Sequence, residues 1–268
     1  MNIGLLGFGV VGGGVLELTQ SRSDIAVSRV LLRSPKADLP EGLATYDFND
    51  ILTDDAIDTV VEVMGGLHPA YEYVSAAMER GKNVVTANKA LIAAYYPELT
   101  ALAKEKGVAL RCTAAVGGGI PWLVNLARVK RLDTVGAVGG IMNGTTNFML
   151  TKMVREGLGF DDALKIAQEL GYAETKDPSD DVDGRDACRK IAILSSLVCG
   201  HQIYPQNIPT RGIRDITVAD VAAAEKLGCV IKLIAWMKRG EDGSVAAGVE
   251  PCLVPKANQL AGVDDVFN

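Results

Sequence analysis

The sequence predicts an α/β protein with two domains, a parallel-sheet domain over residues 1–125 and an α+β domain with a mixed sheet over residues 126–268. In the first half, short apolar runs alternate with stretches of helical periodicity, a rhythm typical of a parallel sheet with right-handed crossovers. In the second half the helical stretches are grouped. Two apolar runs there flank an Asp242-Gly243 turn, which indicates a β-hairpin.

Glycine and proline delimit the elements of the first domain. We predict strands at residues 2–6, 27–32, 59–63, 83–86 and 108–112, helices at 15–18, 70–80 and 96–106, and a helix or turn at 50–52. Pro35 closes the second strand. Gly81 and Gly107 end two of the helices, because glycine readily adopts the left-handed conformation found after a helix C-terminus.

The second domain is predicted to contain strands at residues 134–142, 230–238 and 245–254 and helices at 145–156, 160–170, 186–199 and 218–227. Residues 116–121, with three consecutive glycines, lie between the two domains. We interpret this segment as a hinge, because glycine restricts the backbone least.

Composition excludes several classes of partner. The chain carries a net charge of −6 over 268 residues, so it lacks the basic surface that nucleic acid or an anionic membrane attracts. Its apolar runs are shorter than the roughly 20 residues of a membrane-spanning helix, and strand-like sequence begins at Asn2 in place of a secretory signal. Five scattered cysteines and two histidines form no zinc motif. We expect a cytoplasmic protein with reduced thiols and with neither a nucleic-acid nor a membrane partner.

A glycine-rich turn, Gly7-Phe8-Gly9-Val10-Val11-Gly12, directly follows the first predicted strand and begins a helix. In this context the first glycine permits a tight turn, the second lets the backbone approach a pyrophosphate, and the third allows close packing of helix on strand. The pyrophosphate would then bind at the positive helix N-terminus. The turn predicts a Rossmann-type, dinucleotide-binding first domain.

The end of the second strand bears on which dinucleotide binds. An acidic residue there would bind the ribose 2′-hydroxyl of NAD, whereas arginine accommodates the 2′-phosphate of NADP. Arg33 ends this strand, Lys36 follows it, and residues 27–37 contain no acid. We therefore favour NADP over NAD. A solvated basic loop remains the alternative interpretation.

Three further segments carry candidate chemistry. Lys89 lies just past the carboxyl end of a strand, where open α/β sheets bind ligands, although a surface lysine is the alternative. Asp186 and Lys190 are four residues apart on one helix and share a face, so they form either an exposed ion pair or a catalytic pair. Residues 143–147 begin a helix, where their hydroxyls serve either as helix caps or as donors to a substrate carboxylate.

Together these segments resemble homoserine dehydrogenase over essentially the whole chain. The matching stretches are residues 7–12, 61–66, 85–91, 117–121, 140–147, 170–174, 181–190, 253–255, 260–261 and 266–268. The resemblance implies reversible, NAD(P)-dependent oxidation of L-homoserine to L-aspartate 4-semialdehyde in threonine and methionine biosynthesis. It also implies a homodimer joined through the sheet of the second domain.

The resemblance also implies a role for particular residues. Lys190 and Lys89 would be the catalytic lysines, one of which exchanges the hydroxyl proton while hydride passes to the nicotinamide. The residues implied around the substrate are Glu174, Asp181, Asp186, Gly144, Thr145 and Tyr172. The residues implied at the cofactor are Gly7, Phe8, Gly9, Val10, Val11, Gly12, Arg33, Gly65 and Lys89.

Three features depart from the pattern of the family. Thr113 stands where the family commonly has a glutamate that helps to bind a monovalent cation, Na+ or K+. The backbone carbonyls implied at that cation are those of Val116, Gly118 and Ile120. One extra residue lies between Glu174 and Asp177, and the sequence ends at Asn268, before a Gly-Arg-Gly-Ala-Gly segment with which the family normally continues. We therefore expect a C-terminally shortened catalytic domain.

Two other hypotheses remain open. The first is a related two-domain reductase that acts on another amino-acid semialdehyde, which the acidic segment over residues 172–190 disfavours. The second is a dinucleotide-binding but inactive fragment or sensor, and the early C-terminus is the feature that supports it.

Overall fold

A computed structural model describes all residues from 1 to 268. The chain divides into two compact units, Met1–Arg128 with Gly200–Gln202, and Val129–Cys199 with Ile203–Asn268. The division falls near the end of a helix, Trp122–Val129, that the sequence analysis did not predict. The sequence analysis interpreted the glycines before this helix as a hinge and did not extend a helix beyond them. Pro121 begins the helix, and its carbonyl accepts the N–H of Asn125 (2.9 Å).

Unit 1 contains one parallel sheet with six strands. They are β1 (Asn2–Leu6), β2 (Ala26–Leu31), β3 (Ala44–Thr45), β4 (Thr59–Glu62), β5 (Asn83–Thr86) and β6 (Leu110–Arg111). The order across the sheet is β3-β2-β1-β4-β5-β6, and every neighbouring pair is parallel. The chain therefore reverses its direction of travel across the sheet at β1, which creates a crevice at the carboxyl ends of β1 and β4.

Five helices accompany this sheet: α1 (Val10–Gln20), α2 (Asn49–Leu52), α3 (Ala70–Glu79), α4 (Lys89–Lys106) and α5 (Trp122–Val129). The predicted helix at residues 96–106 begins earlier, at Lys89, and contains a kink at Tyr95. Pro97 explains the kink, because proline removes one helical hydrogen bond and its ring displaces the preceding turn. The predicted strand at 108–112 is reduced to its two central residues.

Unit 2 is built on a three-stranded antiparallel sheet. Its strands are β7 (Ala137–Gly140), β8 (Cys229–Arg239) and β9 (Val245–Pro255), in the order β7-β8-β9. The predicted hairpin is present, and Gly240 N–H closes its turn on Ser244 O (2.8 Å). The parallel component of this sheet is a single bridge between Thr210 and Val249. The predicted strand at 134–142 is shorter than expected, because pairing with β8 covers four residues of it.

The helices of unit 2 are α6 (Gly144–Glu156), α7 (Phe160–Glu169), α8 (Ser179–Val182), α9 (Arg185–Cys199) and α10 (Val218–Lys226). The largest fully buried side chains of unit 2 come from helices α6 and α9, and they are Met149, Leu150, Met153 and Ile191. No helix of the chain combines the length and the apolar character that a bilayer crossing requires.

The last residues of unit 2 are bound to α6 by buried side chains. Asn147 Nδ2 lies 3.0 Å from the carbonyl of Val263, 3.1 Å from that of Asp265 and 3.0 Å from that of Phe267. Lys232, on β8 and 3% exposed, donates to Asn147 Oδ1 (3.0 Å) and to Val263 O (2.5 Å). Burial lowers the pKa of the Lys232 ammonium, and the neighbouring Asp264 carboxylate offsets part of that effect.

Candidate functional site

The glycine-rich turn has the geometry that its sequence predicts. Gly7 has φ +99°, a conformation that favours glycine, and its N–H donates to Leu31 O (3.1 Å). At Gly12 a Cβ atom would lie 2.4 Å from Gly7 O, so only glycine fits between helix and turn. Gly9 has open space around it, which leaves its backbone accessible to a ligand. Each glycine therefore meets a different steric requirement.

Helix α1 begins with free backbone donors. Its N-cap is Gly9, and no side chain caps the helix. The first three N–H groups, those of Val10, Val11 and Gly12, consequently have no partner within the helix, and the Val10 side chain is 95% exposed. Such a helix N-terminus attracts an anionic group.

A cavity next to the turn brings four of the nine predicted cofactor residues together. Its walls include Gly7, Phe8, Gly9 and Arg33, joined by Ser34 and Lys36 from the same loop. Tyr46 and Tyr73 line it as well, and no aspartate or glutamate is among its lining residues. The sequence analysis did not single out the two tyrosines, because they come from separate segments that only the fold brings to the glycine-rich turn.

Gly65 and Lys89 lie at the same edge of the sheet as the glycine-rich turn. Leu6 pairs with Glu62, and Glu62 pairs with Thr86, so β1, β4 and β5 end side by side. Gly65 follows β4 in a left-handed conformation (φ +73°). Lys89 follows β5 as the first residue of α4. The predicted cofactor and lysine positions of unit 1 are thus neighbours at the carboxyl edge.

In unit 2, Lys190 and Asp186 form a close and mostly buried ion pair. Lys190 Nζ lies 2.7 Å from Asp186 Oδ2, and the two side chains are 14% and 7% exposed. The spacing of four residues on α9 explains the contact. Lys190 Nζ also donates to Met142 O (2.6 Å), just before α6. Two acceptors therefore fix the direction of this ammonium.

Asn143 connects this pair to a second carboxylate. Its Nδ2 atom donates to Asp181 Oδ1 (2.6 Å) and to Asp186 Oδ2 (3.0 Å). Its Oδ1 atom accepts the N–H of Thr146 (2.8 Å) and thereby caps α6. The sequence analysis noted the segment as a possible cap, but the bridging role was missed because the two aspartates are distant in sequence.

The acidic segment separates into two groups. Asp181 and Asp186 converge on Asn143, whereas Asp180 forms a two-point contact with Arg189 and Asp183 pairs with Arg214. The latter two carboxylates are compensated at the surface, where ion pairs contribute little to stability. The two aspartates that converge on Asn143 are thus distinct from the two that pair with surface arginines.

Three of the four remaining predicted substrate residues lie at the start of α6, and Glu174 is the exception. Thr145 donates its hydroxyl to the carbonyl of Tyr172 (2.6 Å), so this hydroxyl holds the loop before α8. The Tyr172 ring packs edge-to-face on Phe148, with 5.0 Å between centroids. At Gly144 a Cβ atom would lie 2.6 Å from Val266 O. Glu174 is exposed, and its backbone carbonyl accepts from Gln168.

The segment implied for a monovalent cation does not present a suitable set of ligands. The Ile120 carbonyl already accepts the N–H of Trp122 (2.8 Å). Thr113 begins a short 3-10 turn and supplies no carboxylate, and no group of three or more His, Cys, Asp or Glu side chains is placed to hold a metal ion. Because Thr113 offers no carboxylate and the Ile120 carbonyl is already engaged, we assign no role to an Na+ or K+ ion.

These features define a class of protein. A Rossmann-type unit presents a free helix N-terminus and a basic cavity, and a separate α+β unit presents a buried lysine–aspartate pair. This combination is typical of dinucleotide-dependent oxidoreductases with a separate substrate domain.

Comparison with known proteins identifies the family within that class. Residues 7–113 match the NAD-binding domain of homoserine dehydrogenase, and residues 121–268 match the homoserine dehydrogenase domain. The chain is 44% identical to homoserine dehydrogenase from Synechocystis, over all of this chain and 65% of that protein. It is 41% identical to a homoserine dehydrogenase structure from Thiobacillus denitrificans, with a TM-score of 0.91 over 99% of this chain and 64% of that one. The chain belongs to the homoserine dehydrogenase family.

Two further facts qualify the comparison. The chain spans about two thirds of the length of these bacterial relatives. A hyperthermophilic archaeal homoserine dehydrogenase in complex with NADPH is 27% identical, with a TM-score of 0.79 over 98% of this chain and 85% of that one. The similarity thus covers both units.

Proposed function

We propose that the protein is a homoserine dehydrogenase, which reversibly oxidises L-homoserine to L-aspartate 4-semialdehyde with a nicotinamide dinucleotide. The observation that carries the proposal is the partly buried cluster of Lys190, Asp186, Asn143 and Asp181 in a chain of this family. The cluster joins a cation to two carboxylates, which suits a substrate that carries both an amino group and a reacting hydroxyl.

The two units have different proposed tasks. Residues 1–125 would bind the dinucleotide, with the pyrophosphate at the free N–H groups of α1 and the nicotinamide end near Gly65 and Lys89. Residues 126–268 would bind homoserine and support a homodimer. Asp181 and Asp186 would bind the substrate ammonium, and Glu174, Tyr172, Gly144 and Thr145 would complete the pocket. The family resemblance supports these assignments.

The chemistry proposed for the lysines follows from charge balance. When bound, the oxidised nicotinamide accepts the hydride that leaves the hydroxyl-bearing carbon of homoserine. The hydroxyl proton must leave at the same time, and the Nζ atom of Lys190 or Lys89 in its neutral form accepts it. In the reverse direction the same ammonium donates a hydrogen bond to the aldehyde oxygen and then its proton. Asp186 and Met142 O hold Lys190 Nζ in one orientation for this exchange.

We propose that NADP is preferred over NAD. Arg33, Ser34 and Lys36 line the same cavity as the glycine-rich turn, and no carboxylate lines it to bind a 2′-hydroxyl or to repel a 2′-phosphate. The NADPH complex of the archaeal relative is consistent with this preference. The family also supports a cytoplasmic enzyme of threonine and methionine biosynthesis.

A direct assay tests the proposal. The purified chain is mixed with L-homoserine and NADP+, and formation of NADPH is followed by its near-ultraviolet absorbance. We expect NADPH to form with homoserine and not with L-serine, which is one methylene shorter. Binding of NADP+ without any turnover would contradict the proposed activity and would support a dinucleotide-binding fragment instead.

A further inference from the structure

Glu62 is a buried carboxylate that the proposed chemistry does not use. It is the last residue of β4 and has no measurable exposure. No lysine, arginine or histidine pairs with it, and its partners are three neutral donors. Glu62 Oε1 accepts Met64 N–H (2.9 Å) and Asn88 Nδ2 (3.4 Å), and Oε2 accepts the Thr86 hydroxyl (2.6 Å). A carboxylate buried without a cation is unfavourable, so packing alone does not account for glutamate here.

The donors to Glu62 belong to two different loops at the carboxyl edge of the sheet. Met64 lies in the turn that follows β4, and Asn88 lies in the turn that follows β5. Asn88 also donates from Nδ2 to Gly66 O (2.6 Å), which ties the two turns together directly. Glu62 is thus the common acceptor at the point where the turns meet.

The Thr86 hydroxyl transmits the orientation of Glu62 to the start of α4. It donates to Glu62 Oε2 and accepts the backbone N–H of Asn88 (2.9 Å). Because the Thr86 hydroxyl donates its hydrogen bond to the carboxylate, the lone pairs of its oxygen face the N–H of Asn88. Asn88 in turn caps α4 through Oδ1, which accepts Leu91 N–H (3.1 Å). Lys89 is the next residue after this cap.

We propose that Glu62 is a positioning residue that holds Lys89 and the Gly65-Gly66 backbone in register through Thr86 and Asn88. The proposal rests on the proposed function, because it assigns these two groups to the reacting end of the dinucleotide. A displacement of about 1 Å at such a group lowers the rate by up to about 100-fold, since the reacting atoms must meet in one geometry. The six hydrogen bonds of this network oppose that displacement, because a fully satisfied buried polar network is rigid.

The test uses two threonines on strands β4 and β5. Thr86→Val removes the hydroxyl that joins Glu62 to Asn88 and keeps the shape of the side chain. Thr59→Val is the matched control. Thr59 is 2% exposed, lies at the opposite end of β4, and donates its hydroxyl to Asp58 Oδ1 (2.6 Å). Both variants lose one buried hydroxyl bound to a carboxylate, but only one of them lies near Lys89.

We expect Thr86→Val to lower kcat by about 10- to 100-fold and to leave the KM for homoserine within about threefold. Thr59→Val should lower the melting temperature but keep kcat within about twofold of the wild type, because its hydroxyl bonds Asp58 at the far end of β4. Thr86→Ser restores the hydroxyl and should recover most of kcat. If Thr86→Val does not fold, Asn88→Ser, which keeps a capping hydroxyl and loses the amide link to Gly66, should show the same loss of kcat.

Two outcomes would overturn the proposal: equal kcat losses in Thr86→Val and Thr59→Val, or no recovery of kcat in Thr86→Ser. Failure of the proposed function is recognised separately. In that case the wild type itself shows no turnover of homoserine, and the role of Glu62 is then judged from dinucleotide affinity. Glu62→Gln should still weaken NADP+ binding relative to Thr59→Val, because the substitution loosens the turn that contains Gly65. An unchanged dissociation constant for NADP+ would refute the positioning role of Glu62.

Discussion

Replacement of Asn143 by aspartate is the sharpest single test of the unit 2 cluster. Asn143→Asp exchanges one NH2 group for an oxygen and keeps the shape of the side chain. The cap of α6 survives, because the remaining oxygen still accepts Thr146 N–H. The two donated hydrogen bonds to Asp181 and Asp186 are lost, and a third carboxylate is placed within about 3 Å of them.

The size of the effect follows from these contacts. A hydrogen bond to a charged group contributes about 1.5–3 kcal/mol, and here two are removed. Part of that loss is recovered, because the side chains relax and neighbouring carboxyl groups share a proton. We therefore expect the free energy of unfolding to fall by about 2–4 kcal/mol at pH 7. Crowded carboxylates raise the pKa of one carboxyl in the folded state. The folded variant therefore binds a proton more tightly than the unfolded chain does, and the stability defect grows as pH rises.

The assay is urea denaturation of the wild type and the variant at pH 5 and pH 7. Asn258→Asp is the matched control, because Asn258 also caps a helix through Oδ1, to Leu260 N–H (2.9 Å), and is exposed. The control should change stability by less than about 0.5 kcal/mol at either pH. The reasoning is refuted if Asn143→Asp matches the control, or if its defect is larger at pH 5 than at pH 7.

Three other predictions concern the lysine, the cofactor and the turn. Lys190→Ala should lower kcat by at least about 100-fold while the dissociation constant for NADP+ stays nearly unchanged, because the lost interaction forms in the transition state; a normal kcat would remove Lys190 from the mechanism. Arg33→Ala should raise the KM for NADP+ by about tenfold and leave that for NAD+ unchanged, and an unaltered ratio of the two KM values would place Arg33 outside the cofactor site. Gly12→Ala should destabilise the protein by about 1–3 kcal/mol in thermal unfolding, since its Cβ would lie 2.4 Å from Gly7 O, whereas Gly13→Ala, with open space around it, should be neutral or stabilising. Equal effects at the two glycines would contradict the packing argument.

Local signals made most of the fold predictable. Gly81 and Gly107 adopt positive φ values, as glycines that end helices do, and the strand Asn83–Thr86 begins and ends as its pattern indicates. The glycine-rich turn was predictable for the same reason, because each of its glycines answers a local steric requirement. The start of α4 was missed because Pro97 masks the helical pattern on its N-terminal side.

The candidate site was less predictable, because its contacts join distant parts of the sequence. Asp186 and Lys190 are one helical turn apart, so their pairing could be read from spacing. The bridge from Asn143 to Asp181 spans 38 residues, and the link from Glu62 to Thr86 spans 24. Neither pair has a periodic relationship in the sequence. The packing of the strands and helices brings them together, so no pattern in the sequence could have shown these contacts.

The attachment of the last residues to α6 has a consequence for the order of folding. Asn147 and Phe267 are 120 residues apart, whereas neighbouring strands of unit 1 such as β4 and β5 are separated by a single helix. Contacts between residues so far apart close late, because the loop entropy is lost before the contact is gained. During synthesis, unit 1 can therefore assemble most of its sheet early. The start of α6, with Gly144 beneath Val266 O, reaches its final form only after residues 263–268 have been synthesised.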